Sequence, residues 1–184
     1  MAEKICPLWV GYLLSSPLRK LIQNPQTILS PFVRPGMTVV DLGCAMGFFS
    51  IPLGQMVGRG GKVVCVDIQE GMLTRLGKKV ERKGLAPIFE FRRCNEKSFG
   101  FQAGEADFIC TFAVVHEVPD PAMLFREAAM ALKPRGQLLF AEPRGHVSDS
   151  TFQVELDAAM DAGFKIVSHP RIIKSHGVLL EKTQ

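Results

Sequence analysis

With 184 residues, 47% of them apolar and 22% charged, the chain has the composition of an ordinary globular domain, which argues against a disordered or low-complexity protein. Its 22 basic and 18 acidic residues give a formal charge of +4, too small and too scattered for a dedicated nucleic-acid binder. Five cysteines without a Cys-x-x-Cys pair argue against a disulfide framework or a zinc knuckle and suit a reducing cytoplasm.

The length predicts one domain able to bury its own core. At the N-terminus, the apolar run Ile5–Leu14 is too short to span a bilayer and contains Pro7 and Gly11, while Glu3 spoils the basic region of a signal peptide. From there strand and helix patterns alternate. A strand is predicted at Thr38–Leu42 and a helix at Gly47–Val57, ended by Gly58, Gly60 and Gly61. A second strand follows at Lys62–Val66. The helix after it, Glu70–Lys83, aligns Met72, Leu73, Leu76 and Val80 on one face, and Gly84 closes it. Its basic cluster Arg75, Lys78, Lys79, Arg82 and Lys83 reads as a solvated face rather than a nucleic-acid surface.

A third strand is expected at Ile88–Phe91, then a loop or weak helix over Asn95–Glu105, then a strand at Asp107–Val114. Pro121 opens a helix whose stripe Met123, Leu124, Ala128 and Leu132 ends at Pro134 and Gly136. Strand five is Gln137–Ala141, and a helix covers Thr151–Ala162. Two last strands, Lys165–Ser168 and Val178–Glu181, are joined closely enough to be antiparallel. The fold class is therefore α/β, a Rossmann-like doubly wound seven-stranded sheet, mostly parallel with an antiparallel last strand.

The most informative segment is Val39-Val40-Asp41-Leu42-Gly43-Cys44-Ala45-Met46-Gly47, an apolar strand ending in a carboxylate and a tight glycine turn. Gly43 and Gly47 permit a sharp turn with room for a ligand against main-chain amides. The dinucleotide pattern Gly-x-Gly-x-x-Gly fails, since Ala45 and Phe48 fall at its second and third glycines. Asp41 would repel a pyrophosphate and welcome an ammonium group, so the turn suits a cationic amino-acid moiety. Asp67, closing strand two, suits ribose hydroxyls or, as an alternative, a helix N-cap.

This turn resembles the first motif of the class I S-adenosylmethionine-dependent methyltransferases, an acidic residue followed by Gly-x-Gly-x-Gly, here Asp41, Gly43, Ala45 and Gly47. Ala45 replaces a glycine and is acceptable provided that position needs only negative φ. The resemblance runs from about Asn24 to the C-terminus and implies S-adenosylmethionine as cofactor, bound by the turn with Cys44 inside it. It implies Asp67 on the ribose, Ile68 against the adenine ring and Asn95 on the adenine edge, although Asn95 reads equally well as a turn residue. The family's fourth motif falls on Phe112–Asp120, with Ala113 beside the cofactor's methionine portion. His116 is the candidate general base, and Asp120 four residues on keeps a spacing seen in some O-methyltransferases; otherwise His116 packs while Asp120 caps the next helix. Glu142 is a second base candidate, with Arg144 and His146 near it, unless Glu142 and Arg144 only form a surface pair.

The implied reaction is in-line attack on a sulfonium methyl group by a small, apolar or aromatic acceptor, without metal. Residues 1–24, holding the only Trp and Tyr (Trp9 and Tyr12), are expected as an N-terminal cap segment. The alternatives are an RNA or protein methyltransferase and a cofactor-binding partner without turnover.

Overall fold

The central strands carry Val, Ile, Leu and Phe on both faces, the pattern of a sheet covered by helices on each side. In the computed structural model, which describes residues 23–183, they form one sheet of seven strands: β1 Thr38–Leu42, β2 Lys62–Asp67, β3 Phe89–Arg93, β4 Ala106–Phe112, β5 Leu132–Pro143, β6 Phe164–Ser168 and β7 Ser175–Lys182. The helices are α1 Pro25–Leu29, α2 Ser50–Val57, α3 Glu70–Arg82, α4 Pro121–Ala131 and α5 Asp149–Asp161. Strand order is β3-β2-β1-β4-β5-β7-β6. The first five are parallel, and β7 runs antiparallel to both its neighbours, so the reversed strand is an inner one and β6 forms the edge.

Each face has its own core. Val40, Leu42, Ile109, Leu138 and Phe140 meet Leu124 and Phe125 of α4 and Phe152 and Leu156 of α5. Val39, Val63, Phe108 and Leu139 meet Leu53 of α2, Leu76 and Val80 of α3 and Leu29 of α1. The chain winds outward in both directions from β1 and β4, and the crevice at the carboxyl ends of these two strands is where such sheets take ligands.

Several boundaries differ from expectation. The helix after the glycine turn starts at Ser50 rather than Gly47, because Gly47 has φ +85° and cannot continue a right-handed helix. Strand four stops at Phe112, where Ala113 turns the chain at φ +59°. Strand five begins at Leu132, five residues early. Pro134 does end α4, yet the chain passes straight into an extended run with an irregular register between Ala106 and Phe108, steadied by Lys133 Nζ on Asp107 Oδ1 at 2.7 Å. Residues 95–105 are irregular, with one bridge between Asn95 and Ser98. Among the described residues, no helix is long and apolar enough to cross a membrane.

Candidate active site

The carboxyl ends of β1, β2 and β4 open onto a cleft of about 690 Å³. Gly43, Asp67, Ile68, Asn95 and His116, all singled out from the sequence, line it together, and His146 lines it as well. A larger open trough of about 990 Å³ runs along residues 169–177, and none of the sequence-predicted cofactor or base residues lines it.

The turn after β1 is held from within. Gly43 and Cys44 both donate their N–H to Val66 O, at 2.8 and 3.1 Å, Ala45 donates to Asp67 Oδ2 at 2.9 Å, and Gly47 donates to Cys44 O at 2.9 Å. These four amides are therefore spent on the protein, which corrects the expectation of a ligand lying against them. The correction also weighs against a pyrophosphate, which needs free N–H groups. At Gly43, φ is +71° and a Cβ would stand 2.2 Å from Val114 Cγ2, so only glycine leaves the crevice open. Gly47 serves packing: a Cβ there would lie 2.3 Å from Leu76 Cδ1 of α3. Ala45 takes φ +45°, so the condition of negative φ fails and an alanine occupies a glycine conformation.

Asp41 and Cys44 face away from the cleft. The Asp41 carboxylate, 3% exposed, accepts from Ser50 Oγ and, at 3.5 Å, from Cys110 Sγ. Burial pushes it up to about 6 against the opposing pull of these two donors, so it does not present itself to a ligand ammonium group. Cys44 is buried in the α2/α3 core. Asp67 keeps its place at the cleft. Its Oδ1 accepts from Gln69 N at 2.8 Å, α3 begins only at Glu70 with Gln69 as cap, and the helix N-cap alternative lapses. Burial raises its pKa while the Gln69 and Ala45 amides oppose the rise. The Asn95 Oδ1 accepts from Lys97 N and Ser98 N, the turn role that Asn favours, at the cleft rim.

The acid–base cluster is built by two strand ends. Ala113 donates its N–H to Ala141 O at 2.8 Å, and this link fastens the turn after β4 to β5. Glu142 then reaches under that turn. It is 0% exposed, its Oε1 accepts from Val114 N at 3.1 Å and Val115 N at 2.9 Å, and its Oε2 meets His116 Nδ1. The surface pair with Arg144 does not form: Arg144 donates to Ser175 O and approaches Asp149. The His116–Asp120 spacing carries no pair either, since Asp120 caps α4 by accepting from Met123 N at 2.9 Å. The bond to Glu142 raises the pKa of His116, and partial burial of the ring opposes it. The His146 ring stands nearly parallel to that of His116, 6.3 Å away centre to centre. Glu117, pushed up by burial, completes the rim.

The model of the methyltransferase domain family matches residues 34–178. The chain belongs to that family. Ubiquinone/menaquinone biosynthesis C-methyltransferase UbiE of Francisella philomiragia is 34% identical over 121 residues, 66% of this chain and 48% of that protein. The UbiE of Shewanella woodyi is 29% identical over 131 residues, covering 70% and 52%. The chain thus spans about half the length of the curated relatives it matches. Among solved structures, a SAM-dependent methyltransferase from Aquifex aeolicus superposes with a TM-score of 0.86 at 26% identity, covering 96% of this chain and 99% of the other. A geranyl diphosphate methyltransferase at 16% identity and TM-score 0.69, covering 87% and 77%, shares the fold.

S-adenosylmethionine is the cofactor of these methyltransferases, and the cleft suits it. Its floor is bare at Gly43, its wall offers the Asp67 carboxylate beside apolar Ile68 and Phe99, and its acidic groups favour a cationic ligand. From the sequence Glu142 reads as a second base candidate or as a surface partner of Arg144, and neither reading places it buried beneath the turn after β4. The signal for its burial was available in the alternation Leu138, Phe140, Glu142, which puts all three on one face of β5.

Proposed function

We propose that the chain transfers a methyl group from S-adenosylmethionine to a small, apolar or aromatic acceptor, with His116 as general base and Glu142 as the residue that orients it. The observation that carries this reading is the contact between His116 Nδ1 and the fully buried Glu142 Oε2 in the wall of the cleft. In the neutral ring Nδ1–H donates to Glu142, which leaves the Nε2 lone pair to accept the acceptor's proton. Glu142, fixed by two backbone amides and out of reach of solvent, holds the tautomer and stabilises the imidazolium that forms.

When bound, the cofactor supplies an electrophilic methyl group on a sulfonium centre, and the protein's share of the work is positioning and proton removal. Asp67 is proposed to accept hydrogen bonds from the ribose hydroxyls, Ile68 to pack on the adenine and Asn95 to reach its edge; Gly43, Ala45 and Ala113 shape the backbone that makes room for them. The relatives named as quinone-biosynthesis C-methyltransferases favour an aromatic acceptor activated by loss of a hydroxyl proton, which is a task for a base such as His116. No metal is invoked. Four cysteines among the described residues are free thiols, which agrees with a reducing, cytoplasmic setting.

We also read residues 1–24 as a cap of the single domain. Residues 1–22, with Trp9 and Tyr12, lie outside the described residues. Support comes from Gln23, whose Nε2 donates to Ile173 O at 3.0 Å and Ser175 Oγ at 3.1 Å, beside the end of β5 that carries Glu142.

The test is calorimetric titration with S-adenosylhomocysteine and with a nicotinamide dinucleotide, followed by turnover of a panel of phenols and quinols. Saturable binding of the first ligand, with turnover lost in His116→Gln while binding persists, is expected. Preference for the dinucleotide overturns the reading.

A further inference from the structure

Glu155 lies on α5 between Phe152 and Leu156, the apolar residues that dock this helix on the sheet, and is only 4% exposed. Its Oε2 is buried with no hydrogen-bond partner among the described residues. A buried carboxylate with a bare oxygen loses its hydration and regains nothing, so such a group holds its proton. The charged groups that act on it are Glu142 and His116, and neither a lysine nor an arginine is among them. Phe152, one turn before Glu155, stacks on Phe140 at 4.9 Å between ring centres, so α5 covers the face of β5 that carries Phe140 and, two residues on, Glu142. From β5, Glu142 touches His116 Nδ1, and from α5, Glu155 acts on the same ring without touching it.

We propose that Glu155 is a positioning residue for the His116–Glu142 pair: a buried carboxyl with an unpartnered oxygen on the helix that covers β5, whose ionisation sets how firmly His116 holds its own proton. The proposal rests on the reading of His116 as the base. While Glu155 is neutral, Glu142 holds the imidazole by direct contact and Glu117 acts on it from the turn after β4. Once Glu155 ionises, its charge adds to that of Glu142, the imidazolium is stabilised, and the ring yields Nε2 to an acceptor less readily. Burial pushes Glu155 up to about 7, Glu142 adds to the rise and His116 opposes it, so the change falls where an imidazole titrates.

The other titratable groups in this region are accounted for. Glu117, on the turn after β4, also acts on His116, and the His146 ring lies near-parallel to that of His116 at 6.3 Å. His176 of β7 stacks on Phe152, one turn before Glu155, and its Nδ1 lies 3.4 Å from Asp149 at the start of α5. Glu155 alone among these combines burial with an unpartnered oxygen.

The experiment is an NMR titration of the His116 ring protons in the wild type, Glu155→Gln and Glu155→Leu, with His116→Gln to assign the signal. It needs neither cofactor nor acceptor. Both variants remove the charge, and both are expected to lower the His116 midpoint by roughly half a pH unit. Glu155→Leu places an apolar side chain in an apolar stripe and is expected to melt no lower than the wild type. A midpoint unchanged in both folded variants overturns the proposal. The acid limb of the kcat/KM profile is then compared with the midpoint. An acid limb that moves with it supports both readings. A midpoint that moves while the limb stays supports the hold of Glu155 on the ring and removes His116 as the base.

Discussion

The backbone N–H of Ala45 donates to Oδ2 of Asp67 at 2.9 Å, tying the glycine turn after β1 to the carboxylate at the end of β2. The other oxygen takes the amide of Gln69 at 2.8 Å, so one side chain fixes the entry to α3 as well.

Asp67→Ala is therefore expected to act twice. It removes the proposed ribose acceptor and unfastens the turn that shapes the cleft floor. Affinity for S-adenosylhomocysteine should fall by roughly 10- to 100-fold, the loss of one or two hydrogen bonds to a charged acceptor. Asp67→Asn keeps the volume but turns an NH₂ toward one of the two amides, and should weaken binding nearly as much. Calorimetry reads both; wild-type affinity in either variant would remove Asp67 from the site.

At Gly43 the expected damage is steric and conformational together. A methyl group there meets Val114 Cγ2 at 2.2 Å, and φ +71° costs an alanine about 1–2 kcal/mol by itself. Gly43→Ala should destabilise by about 2–4 kcal/mol. Adding Val114→Ala clears the clash and leaves the backbone term, so the double variant should be more stable than the two single losses summed. Urea unfolding of the four proteins measures this, and strict additivity would contradict the contact.

Asp41 gives a pH dependence with a definite sign. Its pKa is about 6 in the fold and 3.8 ordinarily, so between pH 4 and 6 the native state holds a proton that the unfolded chain has released. Stability from this group falls as pH rises through that window, by about 3 kcal/mol in all, and stays level above it. Asp41→Asn, which can still accept from Ser50, should be markedly more stable relative to wild type at pH 7 than at pH 4. A stability difference that does not change with pH would refute the buried charge.

Much of this was legible without coordinates. The β1 strand and its turn, the stripe Met72, Leu73, Leu76 and Val80 of α3, and the reversed pairing near the end follow from local patterns, because period and glycine placement are properties of short segments. The His116–Glu142 contact is not local. It depends on the β4–β5 register, in which Phe112 stands beside Ala141, and on Ala113 turning the chain back over Glu142. Glu155 lay within reach of pattern reasoning, since Phe152, Leu156 and Ala159 mark a buried stripe that includes it. Ala45 misled because side-chain volume says nothing about the sign of φ.

Removing the base should separate chemistry from binding. His116→Gln and Glu142→Gln are each expected to lower kcat by about 10²- to 10⁴-fold while S-adenosylhomocysteine affinity stays within about two-fold. The raised pKa of His116 gives a second readout. Its pairing with Glu142 stabilises the fold fully below the ordinary imidazole range and is lost as pH rises through the raised value, so His116→Gln should flatten the alkaline side of a Tm profile. Equal kcat in wild type and variants would leave the pair a structural one.

Ala45→Gly offers the opposite experiment, a glycine that does no harm. Elsewhere the exchange costs roughly 0.5–1 kcal/mol through unfolded-chain entropy. At φ +45° the relief of strain offsets this, and unfolding free energies within about 0.5 kcal/mol of wild type are expected. A full glycine penalty would mean that Ala45 is unstrained.

Strand β7 follows β6 in the chain yet lies between it and β5, so β6 has no other strand to pair with. During folding the edge of the sheet must wait for a later segment: until residues 175–182 insert, β5 presents a bare hydrogen-bonding edge and β6 hangs unattached. A break anywhere before Ser175 thus forfeits two strands rather than one. It also exposes the side of β5 whose last residues include Glu142, which makes the assembly of the proposed base depend on the final strand to arrive.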